Sequence, residues 1–302
     1  MTPGRAAVAP GGERQMTGWL VVTDVDHTLL EEPAEAVLAG ACLRRLHRQG
    51  VATLLASSKT FGEMVALHDR AGLVPQPFVF ENGCGIGWPL DTWPTLQAGT
   101  PDLRQGAYGA IVNAGATPEW LADLACGLRA RLGLHFTLLS ELSSAEIARR
   151  LGMPEPQARL ALERVASLPL IWQGDEAQLR RLQQQLDPHG LSAVRGGRLV
   201  HVAPTGGKGE ALERLRPWLA EHGPTTPPHV LACGDSENDR SLLERAAIAL
   251  VFHPPGRPPL ALAAPGPGRD PLRRSVPAGG PRPWLEAVEA ALLEAGPSPA
   301  CS

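Results

Sequence analysis

The sequence predicts an α/β protein in which a parallel-sheet core is interrupted by an inserted α+β domain. Three observations carry the prediction. Short continuous apolar runs such as WLVVTD (19–24), VATLLAS (51–57) and HVLACGD (229–235) alternate with stretches of helical period. That is the pattern of parallel strands covered by helices on both faces. The alternation lapses over residues 87–192 and then resumes. The apolar runs end in acids, hydroxyls and amides, which would gather at the carboxyl edge of the sheet, where such folds bind ligands.

WLVVTD reads as the first buried strand. In 34–49, Leu38, Cys42 and Leu46 recur at helical spacing, and Gly50 supplies the stop. VATLLAS is the second strand. Residues 60–72 read as a helix ending at Gly72, with Thr60 and Glu63 spaced for a capping box. PFVFENG (77–83) is a third strand running into a turn. Regularity then weakens. Helix signals lie around 118–132, 155–167 and 175–187, and short strands at 134–139 and 168–172. The opening pattern returns with RLVHVAP (198–204) as a strand and 209–222 as a helix faced by Leu212, Leu215 and Leu219. HVLACGD follows as a strand, 237–247 as a helix and IALVF (248–252) as a short strand. Residues 253–282, dense in proline and glycine, read as a long surface segment with little regular structure. The expected organisation is a disordered tail over 1–16, a discontinuous core of 17–86 and 193–290, the inserted domain 87–192, and a second tail over 291–302.

Bulk composition narrows the function. The chain has 302 residues, with 28 Lys+Arg against 31 Asp+Glu and a formal net charge of −3. That is not the basic footprint of a nucleic-acid binder. The longest apolar runs fall far short of a membrane span, and the first eighteen residues lack the apolar stretch of a secretory signal. The five cysteines (Cys42, Cys84, Cys126, Cys233 and Cys301) are odd in number, scattered and without metal-ligand spacing. They read as reduced thiols of a cytoplasmic protein.

The chemistry sits at the strand ends. The first strand gives Asp24 and Asp26; the second gives Ser57, Ser58 and Lys59; the third gives Glu81, Asn82 and Gly83. HVLACGD gives Gly234 and Asp235, followed by Ser236, Asn238 and Asp239, and Lys208 lies in a GGKGE turn before a helix. Asp24, Asp26 and Asp235 gathered on one edge would repel unless a cation offsets them. A hard divalent ion such as Mg²⁺ suits carboxylates that also share phosphate oxygens. A carboxylate nucleophile beside Mg²⁺ is a route to an aspartyl-phosphate. A second carboxylate two residues on can protonate the leaving oxygen and then activate water.

D-x-D-x-T-L at 24–29, Ser57, Lys208 and GDSEND (234–239), in that order, resemble the four motifs of the haloacid dehalogenase-like (HAD) hydrolases. The resemblance implies a parallel-sheet, Rossmann-like HAD core with an inserted α+β cap domain of the C2 type. It makes Asp24 the nucleophile and Asp26 the acid and base, with Ser57, Ser58, Lys59, Asn82, Lys208 and Asn238 around substrate and phosphate. Mg²⁺ falls to Asp24, Asp235, Asp239 and the main-chain carbonyl of Asp26. A narrower set, SSKT with Glu63, FENG, RLVHV, GGKGEAL, GDSENDRSLLE and GGPRPWLEAV (279–288), looks like mannosyl-3-phosphoglycerate phosphatases. These release a glycosylglycerate, a compatible solute, from a small sugar-phosphate substrate. That implies a cytoplasmic enzyme, monomer or homodimer, with no nucleic-acid or membrane partner. One stretch departs. Where those caps carry R-E-x-S-E-P, residues 164–169 read Arg-Val-Ala-Ser-Leu-Pro, with both acids replaced by apolar residues.

Other readings stand beside these. Asp24 and Asp26 can terminate a strand as turn residues, Lys208 can be a surface lysine beside a glycine turn, and Asn82 a turn former. His201 in RLVHV reads as a sheet histidine, Arg195 and Arg198 as solvated, and Trp120 and Trp172 as packing of the inserted unit. A phosphatase of glucosyl-3-phosphoglycerate, sucrose-phosphate or trehalose-phosphate keeps the chemistry and changes the sugar. A phosphomutase returns the phosphoryl group to substrate. A receiver-like phospho-acceptor domain shares acids and a lysine at strand ends, but its compact form does not match a roughly hundred-residue insert.

Overall fold

The computed structural model describes residues 18–92, 102–112, 115–196, 198–222 and 229–296. The tail expected over 1–16 lies outside them. The chain opens with β1 (Trp19–Thr23), α1 (Ala36–Arg48), β2 (Ala52–Ala56), α2 (Phe61–Ala71) and β3 (Phe78–Phe80). It continues through β4 (Gly85–Pro89), β5 (Leu103–Gln105), β6 (Tyr108–Val112), α3 (Pro118–Leu132) and β7 (Phe136–Leu138). Next come α4 (Ser144–Leu151), α5 (Glu155–Leu162), β8 (Leu168–Trp172), α6 (Glu176–Leu186), β9 (Leu191–Gly196) and β10 (Leu199–Pro204). The last segment holds α7 (Gly207–His222), β11 (His229–Gly234), α8 (Arg240–Leu243), β12 (Ile248–His253), β13 (Leu272–Pro277) and α9 (Pro281–Ala295).

Nine strands form one sheet in the order β13-β12-β11-β1-β2-β3-β4-β6-β5. From β13 to β3 all pairs are parallel, and β4, β6 and β5 extend the sheet antiparallel. Alternation along β1 divides its side chains between two cores. Val21 packs with Leu43 and Leu46 of α1, Met64 of α2 and Trp284 and Val288 of α9. Leu20 and Val22 pack with Leu212 and Leu215 of α7 and with Leu242 and Leu243 of α8. Helices therefore cover both faces, as the continuous apolar strands predict. β1 lies between β2 and β11 with Thr23 level with both Leu55 and Cys233. That register brings Asp24, Ser57 and Asp235 to one edge.

A second sheet, β7-β8-β10-β9, is antiparallel throughout. α3 and α6 pack on it around Leu121, Leu128, Leu170, Leu182, Val200 and Val202. Here the structure departs from the sequence reading. The strand at 198–204 was expected in the core; it pairs with β8 and β9 instead, because Val200 and Val202 alternate into the second core.

Of residues 87–112, expected in the inserted unit, those described largely build the antiparallel end of the main sheet. The glycines that obscure β4 as a strand have a packing reason. A Cβ on Gly85 would lie 2.0 Å from the Phe80 ring, and one on Gly87 2.3 Å from the Phe78 ring, so the glycines make room for aromatic rings on the neighbouring strand. The segment 253–282 contains β13, a half-exposed edge strand whose polar sequence hides it. The second tail was expected from 291, but α9 runs to Ala295 with Ala291 and Leu292 buried. α4 was missed although Ser143 and Glu146 form a full capping box.

Candidate active site

β1 delivers Asp24 to the carboxyl edge, where its N–H donates to the carbonyl of Cys233 at 2.9 Å. The loop then turns sharply. His27 takes a left-handed conformation, φ 62°, and its N–H donates to the Leu30 carbonyl at 2.7 Å. The β11 loop returns a second set of acids. Gly234 leaves room for them, since a Cβ there would lie 2.5 Å from Cβ of Asp239. One oxygen of Asp239 accepts the N–H groups of Asp235 (3.0 Å) and Ser236 (3.2 Å), closing the loop on itself.

Lys208, in the first turn of α7, ties these acids together. Its Nζ donates to Oδ1 of Asp24 and, at 2.6 Å, to Oδ1 of Asp239. Lys208 and Asp239 are fully buried and Asp24 nearly so. Burial works against the Lys208 charge, and the Asp239 and Asp24 carboxylates outweigh it, so the ammonium is held above its ordinary range. One lysine does not neutralise three acids. Burial, with Asp239 adding to it, pushes Asp24 up to about 7 despite Lys208. Burial with Asp239 and Asp24 pushes Asp235 up to about 9.

Asp26 faces another way. Its carboxylate meets the Lys59 ammonium at 2.7 Å. Burial tends to raise this carboxyl, but Lys59, its hydrogen bond and the nearby His27 and Lys208 charges together hold it below its usual range. Ser57 is buried, and its Oγ accepts the Lys59 N–H at 3.2 Å. Thr60 and Glu63 form the capping box of α2 read from the sequence. Asn82, also left-handed at φ 57°, accepts a bond from Nδ2 of Asn238 at 3.0 Å. Its own Nδ2 is buried without a partner.

All ten residues singled out from the sequence therefore meet at one edge. A cavity of about 240 Å³ opens above them, lined by Asp24, Asp26, Ser58, Lys59, Asp235 and Asn238. Ser57, Asn82, Lys208 and Asp239 are not among its lining residues; they are buried in the structure around it. The opposite wall comes from the second domain and includes Met153, Gln157, Arg164, Arg198 and His201. Most of this wall was not legible in the sequence. Arg164 donates to the Ser58 carbonyl at 2.6 Å, across 106 positions. His201, read as sheet packing, lines the cavity instead. Its Nδ1 is buried without a partner, and burial, with the Arg164 and Lys208 charges, lowers it to about 3, so it is neutral. Trp172 does pack within the second domain, stacked on Phe136 at 5.7 Å, whereas Trp120 is exposed.

Carboxylate oxygens of Asp24, Asp235 and Asp239 lie within 4.8 Å of one another. Three hard oxygen donors, two of them pushed upward by burial and then by neighbouring carboxylates, fit a divalent cation of the Mg²⁺ kind. The carboxylate of Asp26 is not in this group; the role read for Asp26 at a metal runs through its carbonyl oxygen. Among the described residues, no helix is long and apolar enough to cross a membrane.

No family model matches the chain. Solved structures do. The sucrose-phosphatase of Synechocystis sp. PCC6803, in complex with sucrose and phosphate, superposes with a TM-score of 0.53 at 16% identity, covering 91% of this chain and 98% of that one. A haloacid dehalogenase-like hydrolase from Bacteroides thetaiotaomicron gives 0.55 at 18%, covering 90% and 98%. A Streptococcus mutans UA159 protein gives 0.55 at 15%, covering 91% and 98%. The chain shares the fold of these proteins, a parallel-dominant core with a second domain built on an antiparallel sheet.

Proposed function

We propose that this protein is a Mg²⁺-dependent phosphatase that hydrolyses mannosyl-3-phosphoglycerate to mannosylglycerate and phosphate. The observation that carries the reading is the junction of Asp24, Lys208 and Asp239 beside Asp235, beneath a cavity whose opposite wall is a second domain. Asp24 attacks phosphorus, forming an O–P bond as the ester P–O bond breaks. Asp26 supplies the proton the leaving oxygen needs, then takes one from the water that cleaves the aspartyl-phosphate. Lys208 holds Asp24 in line and offsets charge on the transferring group. A bound divalent ion, held by Asp24, Asp235, Asp239 and the Asp26 carbonyl, would supply further neutralisation of the phosphoryl oxygens. Ser57, Ser58, Lys59, Asn82 and Asn238 surround the phosphoryl site.

Lys59 keeps Asp26 ionised at rest, which is the base form. Protonation for the first step therefore requires that ion pair to loosen as substrate enters. Arg164, Arg198, Gln157 and His201 are placed to meet the part of the substrate beyond the phosphoryl group. We take the protein to be cytoplasmic and a monomer or homodimer.

A second reading keeps the chemistry and changes the sugar. Val165 and Leu168 are apolar where the resembling caps carry acids, and the Synechocystis neighbour was solved with sucrose. The test is phosphate release with Mg²⁺ from mannosyl- and glucosyl-3-phosphoglycerate, sucrose-6-phosphate, trehalose-6-phosphate and 3-phosphoglycerate, with Asp24→Asn alongside. Preference for mannosyl-3-phosphoglycerate, lost in the variant, supports the first reading. Preference for another sugar phosphate moves the substrate. Release from none overturns the phosphatase.

A further inference from the structure

Glu81 is a buried carboxylate that the reaction does not use. It follows β3 in a left-handed conformation, φ 46°, ahead of Asn82, which is also left-handed. Two successive non-glycine residues in that region are costly and persist only where surrounding contacts over-determine them. Those contacts come from the cap. The Glu81 carboxylate accepts the N–H of Val165 at 2.9 Å, the N–H of Ala166 at 3.1 Å and the hydroxyl of Ser167 at 2.6 Å.

The same turn grips the phosphoryl loop from below. The Glu81 N–H donates to the Lys59 carbonyl at 2.8 Å, and the Asn82 N–H to the Ser57 carbonyl at 2.9 Å. Arg164, one residue before the clamped stretch, donates to the Ser58 carbonyl at 2.6 Å and lines the cavity. Thr60 Oγ1 donates to the Leu160 carbonyl at 2.9 Å. Every one of these contacts crosses between cap and core or joins β3 to the Ser57–Lys59 loop.

We infer that Glu81 is a positioning residue: it clamps cap residues 165–167 to the core so that Arg164 stands over the cavity and meets the substrate's remote part. Val165 and Ala166 serve the clamp through their main-chain N–H groups, so the clamp itself asks for no acid at 165. That accounts for an acid being dispensable at 165 while Arg164 and Ser167 remain. Ionised carboxylates accept stronger bonds than neutral amides. A glutamine at 81 also turns an N–H₂ group toward donors, so at least one cap contact fails.

The kinetic half of this inference rests on the phosphatase reading; the structural half does not. Two measurements separate them. The first compares kcat/KM for the preferred glycosyl phosphate with that for acetyl phosphate, whose short acetyl group does not reach the cap wall. In Glu81→Gln the ratio falls by about tenfold or more, mainly through KM of the glycosyl substrate, while acetyl phosphate turnover stays within about twofold. The second is amide hydrogen exchange at Val165 and Ala166, which accelerates by about tenfold or more in Glu81→Gln and not in Asp24→Asn. An unchanged ratio, an equal loss on both substrates, or unchanged exchange overturns the clamp. If the parent protein hydrolyses neither compound, the phosphatase reading falls and exchange alone decides the clamp, faster exchange supporting it and unchanged exchange overturning it. If Glu81→Gln does not fold, Ser167→Ala removes the hydroxyl that donates to Glu81 and also lies 3.5 Å from Nη1 of Arg164. A severalfold fall in the ratio then supports the inference, and an unchanged ratio overturns it.

Discussion

Replacing Lys208 by methionine removes the one cation buried among Asp24, Asp235 and Asp239 and keeps most of the side-chain volume. At 2.6 Å from Asp239 and an effective dielectric of about 20, one such pair carries about 6 kcal/mol of gross attraction. Desolvation offsets part of it, and breaking a buried pair costs about 3–5 kcal/mol net. Unfolding entropy of about 2.1 cal/mol/K per residue over 302 residues converts this to a fall in Tm of about 5–8 °C. The fall depends on pH. Without the lysine, the folded carboxylates keep protons that the unfolded chain releases at ordinary acid pH. Stability from such raised groups is present at low pH and is lost as pH rises through the folded values. Calorimetry in EDTA should therefore show a deficit largest near pH 8 and smaller near pH 5. An unchanged Tm near pH 8, or a deficit that grows towards pH 5, would refute the reasoning.

Mg²⁺ added to the parent protein raises Tm more at about pH 8 than at pH 6. Asp24 and Asp235, at about 7 and 9, must shed protons to bind it; Asp235→Asn abolishes the gain, and equal gains at both pH values would count against the site. Asp24→Asn lowers kcat by at least about a thousandfold with the fold intact, read as phosphate release beside circular dichroism. Lys59→Met lets the Asp26 carboxyl rise, so the limb of the kcat/KM profile on which the leaving-group acid loses its proton moves to higher pH; an unmoved limb would show that Asp26 is not the group titrating. His68 is buried and lowered to about 4 by burial, so its neutral form stabilises the fold above the unfolded histidine range. That stability, at most about 3 kcal/mol, is lost as pH falls from about 6.5 towards 4. His68→Leu flattens the slope of unfolding free energy over that window, and an unchanged slope would refute the assignment.

What was legible in the sequence follows from where the information lies. The parallel strands announce themselves as apolar runs, and the site residues follow them within two or three positions, so Asp24, Asp26, Ser57 and Asp235 could be placed from local pattern alone. Their register with Lys208 rested on motif order. The cap wall had no such signal. Arg164 finds Ser58 across 106 positions and Ser167 finds Glu81 across 86, and nothing near either residue encodes the meeting. β4 was hidden by the glycines that accommodate Phe78 and Phe80, and β13 by its polar edge composition. β10 was assigned to the wrong sheet because an alternating strand names a buried face without naming which core buries it.

The placement of β1 has a consequence for how the molecule is made. Its partner β11 is synthesised some two hundred residues later, and Trp284 of α9 reaches back 261 positions to donate to Thr23 Oγ1 at 3.1 Å. The loop bearing Asp24 thus stays unbraced on one side until almost the whole polypeptide has left the ribosome. The cap, contiguous from α3 to β10, has all its sheet partners earlier. Vectorial synthesis favours assembly of the cap first and closure of the catalytic sheet last. A nascent chain would then carry a finished wall for the cavity before Asp24 on the opposite side is braced.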